Sequence, residues 1–298
     1  MWLLESLGKF IAGLFVDIAA TVLTLLTSLM NGVTKMAIDN LKLLPKEFNK
    51  ELYDLIKTTH TNVIIPLAIL ILAFIFTKEI LDTFIDNNNL NTNLDSEVFF
   101  KWFFKVIISL FLISKSFEIM EGILAISRIF INNKNLEVKD IDFSIENIDE
   151  WKKELVKNLS AGNAAVFAMG ATIISGISIA KLVKVILIIF KRIFEMFFIL
   201  CFGAIPFAMI MSKKYEIQTW NFLKRVFALT LQVAMFLLLI KMMNILWTSV
   251  VITEFKTTEG TLSSVILSLL KMLAYISCIS ISFEKVEEYS EKFLGLRG

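Results

Sequence analysis

The residues capable of chemistry are few, and their spacing argues against a reaction centre. The only histidine, His60, stands among polar residues and reads as a solvated or interfacial side chain. No His-Glu-x-x-His helix, paired-cysteine motif or nucleophile elbow accompanies it, so the parts of a metalloenzyme or an intramembrane hydrolase are missing. There is no glycine-rich run followed by Lys-Ser or Lys-Thr, hence no P-loop and no sign that the chain itself hydrolyses nucleotide. Cys201 and Cys278 both lie in apolar blocks and read as buried free thiols rather than a disulfide or metal ligands. The sequence thus offers no catalytic residue, no metal site and no cofactor site.

What remains is charge placed where charge is costly. Lys181, Lys184, Ile188, Lys191 and Glu195 fall on one helical face and form a mostly basic seam. Lys181, Lys184 and Lys191 can be read as a substrate-facing or water-lined surface, or as stems that snorkel to lipid headgroups. Arg192 and Glu195, three residues apart, are placed to neutralise each other as an ion pair. Lys241 and Lys271 sit near the middle of apolar runs, and Lys115, Glu118 and Glu121 interrupt another; such groups should face helices or a cavity rather than lipid tails. Just before the basic seam, Ala164, Ala168, Thr172, Gly176 and Ala180 form a ladder of small residues at four-residue spacing. It lets helix backbones approach, either within the chain or between subunits.

The elements that must carry these residues are membrane helices. Of the 298 residues 56% are hydrophobic, and the mean hydropathy is +0.73. Soluble domains are only about 45 to 50% apolar, so one soluble core cannot hide this much. The net charge of +2 gives no argument for a nucleic acid or an acidic surface as partner. A bilayer core about 30 Å thick takes roughly 20 helical residues. Six blocks meet that length: Asn62–Leu81, Phe103–Ile131, Ala164–Leu187, Phe194–Met211, Val226–Ile252 and Leu262–Phe283. Pro66 and Pro206 lie inside blocks, where each removes a donor and can kink the helix.

A further helix begins the chain. Leu3, Leu7, Ile11, Leu14, Ile18, Val22, Leu25 and Leu29 recur at helical spacing, with Glu5, Lys9 and Asp17 elsewhere around the turn. It can lie in the interface or span with its polar face inward. Glu5 and Asp17 argue against a cleaved signal peptide. The expected organisation is an all-α, polytopic transmembrane helical bundle. Its parts are an N-terminal amphipathic helix and polar segment (1–61), a first transmembrane pair (62–131), a polar acidic loop (132–163), a four-span core (164–283) and a charged C-terminal tail (284–298). Lys and Arg counted in short loops put the C-terminus and the loop Ser212–Arg225 in the cytoplasm, and Thr253–Thr261 outside. The turn expected between the third and fourth blocks, with Lys184, Lys191 and Arg192, opposes that scheme.

Several local patterns recur in order: Asn62-Val63-Ile64-Ile65-Pro66-Leu67-Ala68 with the span ending at Glu79-Ile80, then Asn87-Asn88-Asn89-Leu90 and Phe99-Phe100-Lys101-Trp102-Phe103-Phe104-Lys105. Further along come Arg192-Ile193-Phe194-Glu195-Met196, Ala204-Ile205-Pro206-Phe207-Ala208-Met209, and Asn221 to Leu229 with Gln232. Together they resemble one family, the TrbL-type polytopic membrane components of Gram-positive conjugative type IV secretion systems. Heavy use of Ile, Lys, Asn and Phe is that of an A+T-rich, low-G+C bacterium.

The resemblance implies a noncatalytic channel or scaffold subunit in the bacterial cytoplasmic membrane, supporting DNA transfer. Its partners would be other conjugation-machine membrane subunits and ATPases, the lipid bilayer, further copies of itself, and transiently the transferred DNA or nucleoprotein. On that view the small-residue ladder would suit the oligomer contact and the lysines the polyanion. A solute transporter or permease subunit is the competing reading, although no internal repeat between halves supports it.

Overall fold

The computed structural model describes residues 2–90, 96–134, 136–137, 142–145, 148–247, 249 and 262–296. Among them every regular element is helical and none is a strand, so the fold is all-α. In chain order the helices are α1 (Trp2–Lys42), α2 (Pro45–Phe48), α3 (Lys50–Thr59), a π turn (His60–Ile64), α4 (Ile65–Leu90), α5 (Ser96–Ser114), α6 (Ser116–Ala125) and α7 (Ser127–Ile131). They continue with α8 (Ile148–Asn158), α9 (Ala161–Phe202), α10 (Ala204–Ala208), a 3-10 turn (Met209–Met211), α11 (Glu216–Leu246) and α12 (Leu262–Phe293).

Among the described residues, five stretches are long and apolar enough to cross a membrane: Glu5–Lys42, Lys50–Ile85, Ala161–Phe202, Glu216–Leu246 and Leu262–Phe293. This differs from the six expected blocks. Ala164–Leu187 and Phe194–Met211 are not two spans with a basic turn between them. They share one helix, α9, of 42 residues. Nothing between Lys181 and Glu195 breaks a helix, since that stretch has neither Gly nor Pro. The break comes at Gly203, just before Pro206. The block Phe103–Ile131 is likewise divided, at Lys115 and Ile126, into α5, α6 and α7. The polar segment expected within residues 1–61 is mostly helix, and α12 continues through residues 284–293 of the expected charged tail. The loop Thr253–Thr261, the end of the fifth block and part of the acidic loop lie outside the described residues.

The chain forms two compact units that interleave segments distant in sequence, with borders inside helices. One unit takes residues 1–41, 133–189 and 235–286. Its core includes Val16, Ala19, Leu23 and Leu26 on one stripe of α1, all fully buried. The segment 142–145, expected as part of a polar loop, puts Phe143 wholly inside, edge-on to Trp247 with ring centroids 5.5 Å apart. Trp247 in turn packs on Tyr275 at 5.4 Å. Asn31 holds the segment from α1: its Oδ1 accepts the Phe143 N–H at 2.9 Å and its amide donates to Asp142 at 3.4 Å. The Asp142 carboxylate is held below the usual range by hydrogen bonds from Ser144 and Asn31.

The other unit takes residues 42–132, 190–234 and 287–298. Here α10 packs against α4 and α5. A Cβ at Gly203 would stand 2.8 Å from the Ile199 carbonyl oxygen and 3.0 Å from Met120, so glycine is required by close approach. The π turn has a local cause. Pro66 has no N–H and its ring crowds the carbonyl four residues back. One extra residue accommodates it, and the Ile65 N–H donates to the His60 carbonyl instead.

In both units large apolar side chains face outward, among them Phe74, Phe103 and Phe111 in one and Phe10, Ile173 and Ile245 in the other. A surface of that kind suits lipid as solvent.

Candidate functional site

The charged seam of α9 is where the chain places ionic groups along apolar helices. In the first unit Lys184 donates to Glu284 of α12 at 2.6 Å, and Lys181 lies close enough to act on the same carboxylate. In the second, Lys191 pairs with Glu287 of α12. Glu195 accepts two hydrogen bonds from Arg225 of α11, at 2.9 and 2.6 Å, and both land on Oε1. Glu287 and Glu291 also act on Arg225 electrostatically. Below these pairs the buried Gln232 amide donates to Ser290 at 3.3 Å, tying α11 to α12.

The basic seam is therefore largely matched by acids rather than left as an open cationic face. The acids come from residues about 100 positions later, in the stretch read as a charged tail. Arg192 and Glu195 form no hydrogen-bonded pair. Glu195 goes to Arg225, and Arg192 is only 4% exposed, with Nε and Nη1 lacking any hydrogen-bond partner. Three residues advance the helix about 300°, a net offset of about 60°, so the two remain neighbours on α9 and it is Arg225 of α11 that takes the Glu195 hydrogen bonds.

The small-residue ladder behaves differently along its length. Ala164 and Ala168 are buried, whereas Thr172, Gly176 and Ala180 are exposed. A four-residue step overshoots a full turn by about 40°, so a strict ladder winds around its helix and cannot keep to one contact. A Cβ on Gly176 would meet nothing within 4 Å. Of the other intramembrane charges, Lys115 bonds Glu118 at 2.9 Å on an exposed face, and Glu121 accepts from Tyr53 at 3.0 Å. Lys241 and Lys271 are half-buried.

Beside the second unit's pairs runs an open groove of about 590 Å3. Phe194, Phe198 and Phe202, one helical turn apart on α9, form its wall with Phe222 of α11, and Lys191, Glu195 and Arg225 lie at its charged end.

His60 is not a solvated loop residue. It is 1% exposed; Nδ1 is 2.7 Å from the Cys201 carbonyl oxygen and Nε2 is 2.9 Å from the Ser116 hydroxyl, with Phe117 edge-on to the ring. Three irregularities meet there: the π turn, the α5–α6 break at Lys115 and the α9–α10 break at Gly203. Sequence reasoning missed this junction because His60 is flanked by Thr and Asn. The available signal was Pro66, which forces the local backbone. Cys201 is buried as expected, but Cys278 is exposed on an apolar helix, and both are free.

Lys191→Glu should lower the thermal midpoint of the detergent-solubilised protein by a few degrees, since a half-exposed pair is worth about 1 kcal/mol or less. Adding Glu287→Lys should restore most of the loss. A double mutant no better than either single one would show that the two residues do not meet.

An all-α chain with several apolar helices, whose embedded charges are matched from helix to helix, is a multi-pass membrane protein. The profile of the family described as TrbL/VirB6 plasmid conjugal transfer like protein matches residues 29–204. That is more than half of the chain, and the protein belongs to this family. Neither a curated protein nor a solved structure matches the chain. The matched region takes in the π turn, α4 to α9 and the start of α10, and the family is a structural membrane component of conjugal transfer machinery.

Proposed function

We propose that the chain is a noncatalytic channel or scaffold subunit of a conjugative type IV secretion system, seated in the cytoplasmic membrane of a Gram-positive donor with its C-terminus in the cytoplasm. The observation that carries this reading is the family match across residues 29–204. The apolar exterior and the ion pairs that tie α9 to α11 and α12 support it physically, because a scaffold needs helices locked in register within lipid. Its partners are other transfer-machine membrane subunits and their ATPases, and further copies of the chain through the exposed end of the ladder at Thr172, Gly176 and Ala180.

Deleting the gene in a donor strain should abolish transfer, and complementation should restore it. Recovery of conjugation ATPases with the protein in mild detergent supports the assignment; recovery of a permease ATPase together with undiminished transfer rejects it.

The lysine seam separates two ways of supporting transfer. Lys181, Lys184 and Lys191 changed together to Gln should lower transfer frequency with membrane insertion intact, through lost helix docking or lost contact with the passing polyanion. The exchanged pair Lys191→Glu with Glu287→Lys decides between them. Transfer restored by the exchange assigns the seam to docking, whereas a persistent defect in a stably inserted protein assigns it to the substrate.

A further inference from the structure

The first unit carries a groove of its own, and polar groups line it along a helix long enough to cross the bilayer. Asp17, Thr21, Thr24, Ser28 and Asn31 follow one another on α1 in alternating four- and three-residue steps, which keeps them on one face. The open space beside Thr21, Thr24 and Ser28 measures about 400 Å3, and Lys152 of α8 borders it. Later parts of the chain hold both ends of the stripe. Lys152 pairs with Asp17 at 3.3 Å, while Asn31 holds Asp142 and Phe143. Asp17 and Asn31 stand about 21 Å apart along the helix at about 1.5 Å per residue, most of a hydrocarbon core of about 30 Å.

We propose that this groove is filled with water within the bilayer, an inlet for water and small hydrophilic solutes that runs from the Asp17–Lys152 pair to Asp142. Its volume holds on the order of ten waters. The hydroxyls alone do not require them. Thr21 and Thr24 donate to the carbonyls of Asp17 and Ala20 at 2.8 Å, and a hydroxyl satisfied by its own helix is tolerated in lipid. Asp142 is different. It is exposed, and its partners, the Asn31 amide and the Ser144 N–H, carry no charge. A carboxylate without a cation at that depth has to be solvated by water. The backbone agrees. Residues 142–145 are not helical, and such chain persists inside a bilayer only where it is buried in protein or borders water. Phe143 meets the first condition and Asp142 the second.

A third sign lies at the inner end. Trp247, edge-on to Phe143, is fully buried, and its indole N–H has no acceptor among the described residues. A water molecule at the foot of the groove supplies one. The inference rests on α1 crossing the bilayer and goes beyond the protein's part in transfer.

The test places single cysteines in the full chain and treats isolated membranes, open on both faces, with a charged thiol reagent that does not cross lipid. The parent should stay unlabelled, because Cys201 is buried and Cys278 lies on the outside of an apolar helix. Thr24→Cys and Ser28→Cys sit at exposed positions, so neither disturbs the core. Both should react at least about tenfold faster than Ile173→Cys, which is 63% exposed on the apolar exterior, because the reagent takes the thiolate and a thiolate needs water. Each position decides on its own. Adding Thr21→Trp, which narrows the groove, should slow labelling of Ser28→Cys several-fold. Rates no faster than that of Ile173→Cys overturn the proposal, whether all are inert, as in a lipid-filled groove, or all reactive, as for helices outside the membrane. An unchanged rate in the Thr21→Trp chain also overturns it, since solvent then arrives by another route.

Discussion

His60→Ala is expected to lower the thermal midpoint of the detergent-solubilised protein by on the order of 5–10 °C, corresponding to about 3 kcal/mol. The ring fills a fully enclosed space against Phe117 and contacts two polar groups, the Cys201 carbonyl and the Ser116 hydroxyl. Alanine leaves a cavity and removes both partners at once. Neither group can turn to water, because Ser116 and Cys201 are both buried. The Ser116 hydroxyl retains its bond to the Ile113 carbonyl at 2.7 Å, so the larger share of the loss falls on the end of α9. His60→Asn, which keeps a donor near the Nδ1 position, should recover part of the stability. A midpoint for His60→Ala within about one degree of the parent would mean that the ring does not hold the three helix breaks together.

The second large effect is expected at Phe143. Truncating a fully buried phenylalanine costs about 3–5 kcal/mol. Phe143→Ala should accordingly destabilise the unit built on residues 1–41, 133–189 and 235–286, whereas Phe143→Leu should keep most of the packing. Because the residue lies in an irregular segment, the loss should also appear locally, as faster limited proteolysis at residues 142–145. If the Ala variant is cut at the parental rate, the segment is not docked on Trp247. Acid should loosen the same segment without mutation. Asp142 has its folded-state pKa held below the unfolded value, so its contribution is complete above the ordinary carboxylate range and fades as pH falls through the lower, folded value.

These two residues also show where sequence reading stops. His60 and Phe143 both sit in stretches whose average polarity resembles a loop. Hydropathy averages a window, while burial belongs to single side chains, and a lone aromatic among polar residues leaves little trace in the average. The α9 seam shows a related limit. Its helical spacing was legible residue by residue, yet its electrostatic meaning depended on Glu284, Glu287 and Arg225, which come from other helices.

The sequence by itself determined that this is an all-α membrane chain, because bilayer thickness and the need to satisfy backbone groups within each segment leave helices as the outcome for long apolar runs. Its local patterns also determined the family, since the order of the motifs survives without any knowledge of contacts. Tertiary structure alone decided that two expected spans are one helix, that the basic seam is matched by acids, and that a histidine closes the junction of three helix breaks. Each of those depends on which distant side chain arrives opposite. One chain's periodicity carries no information about the position of another helix in space.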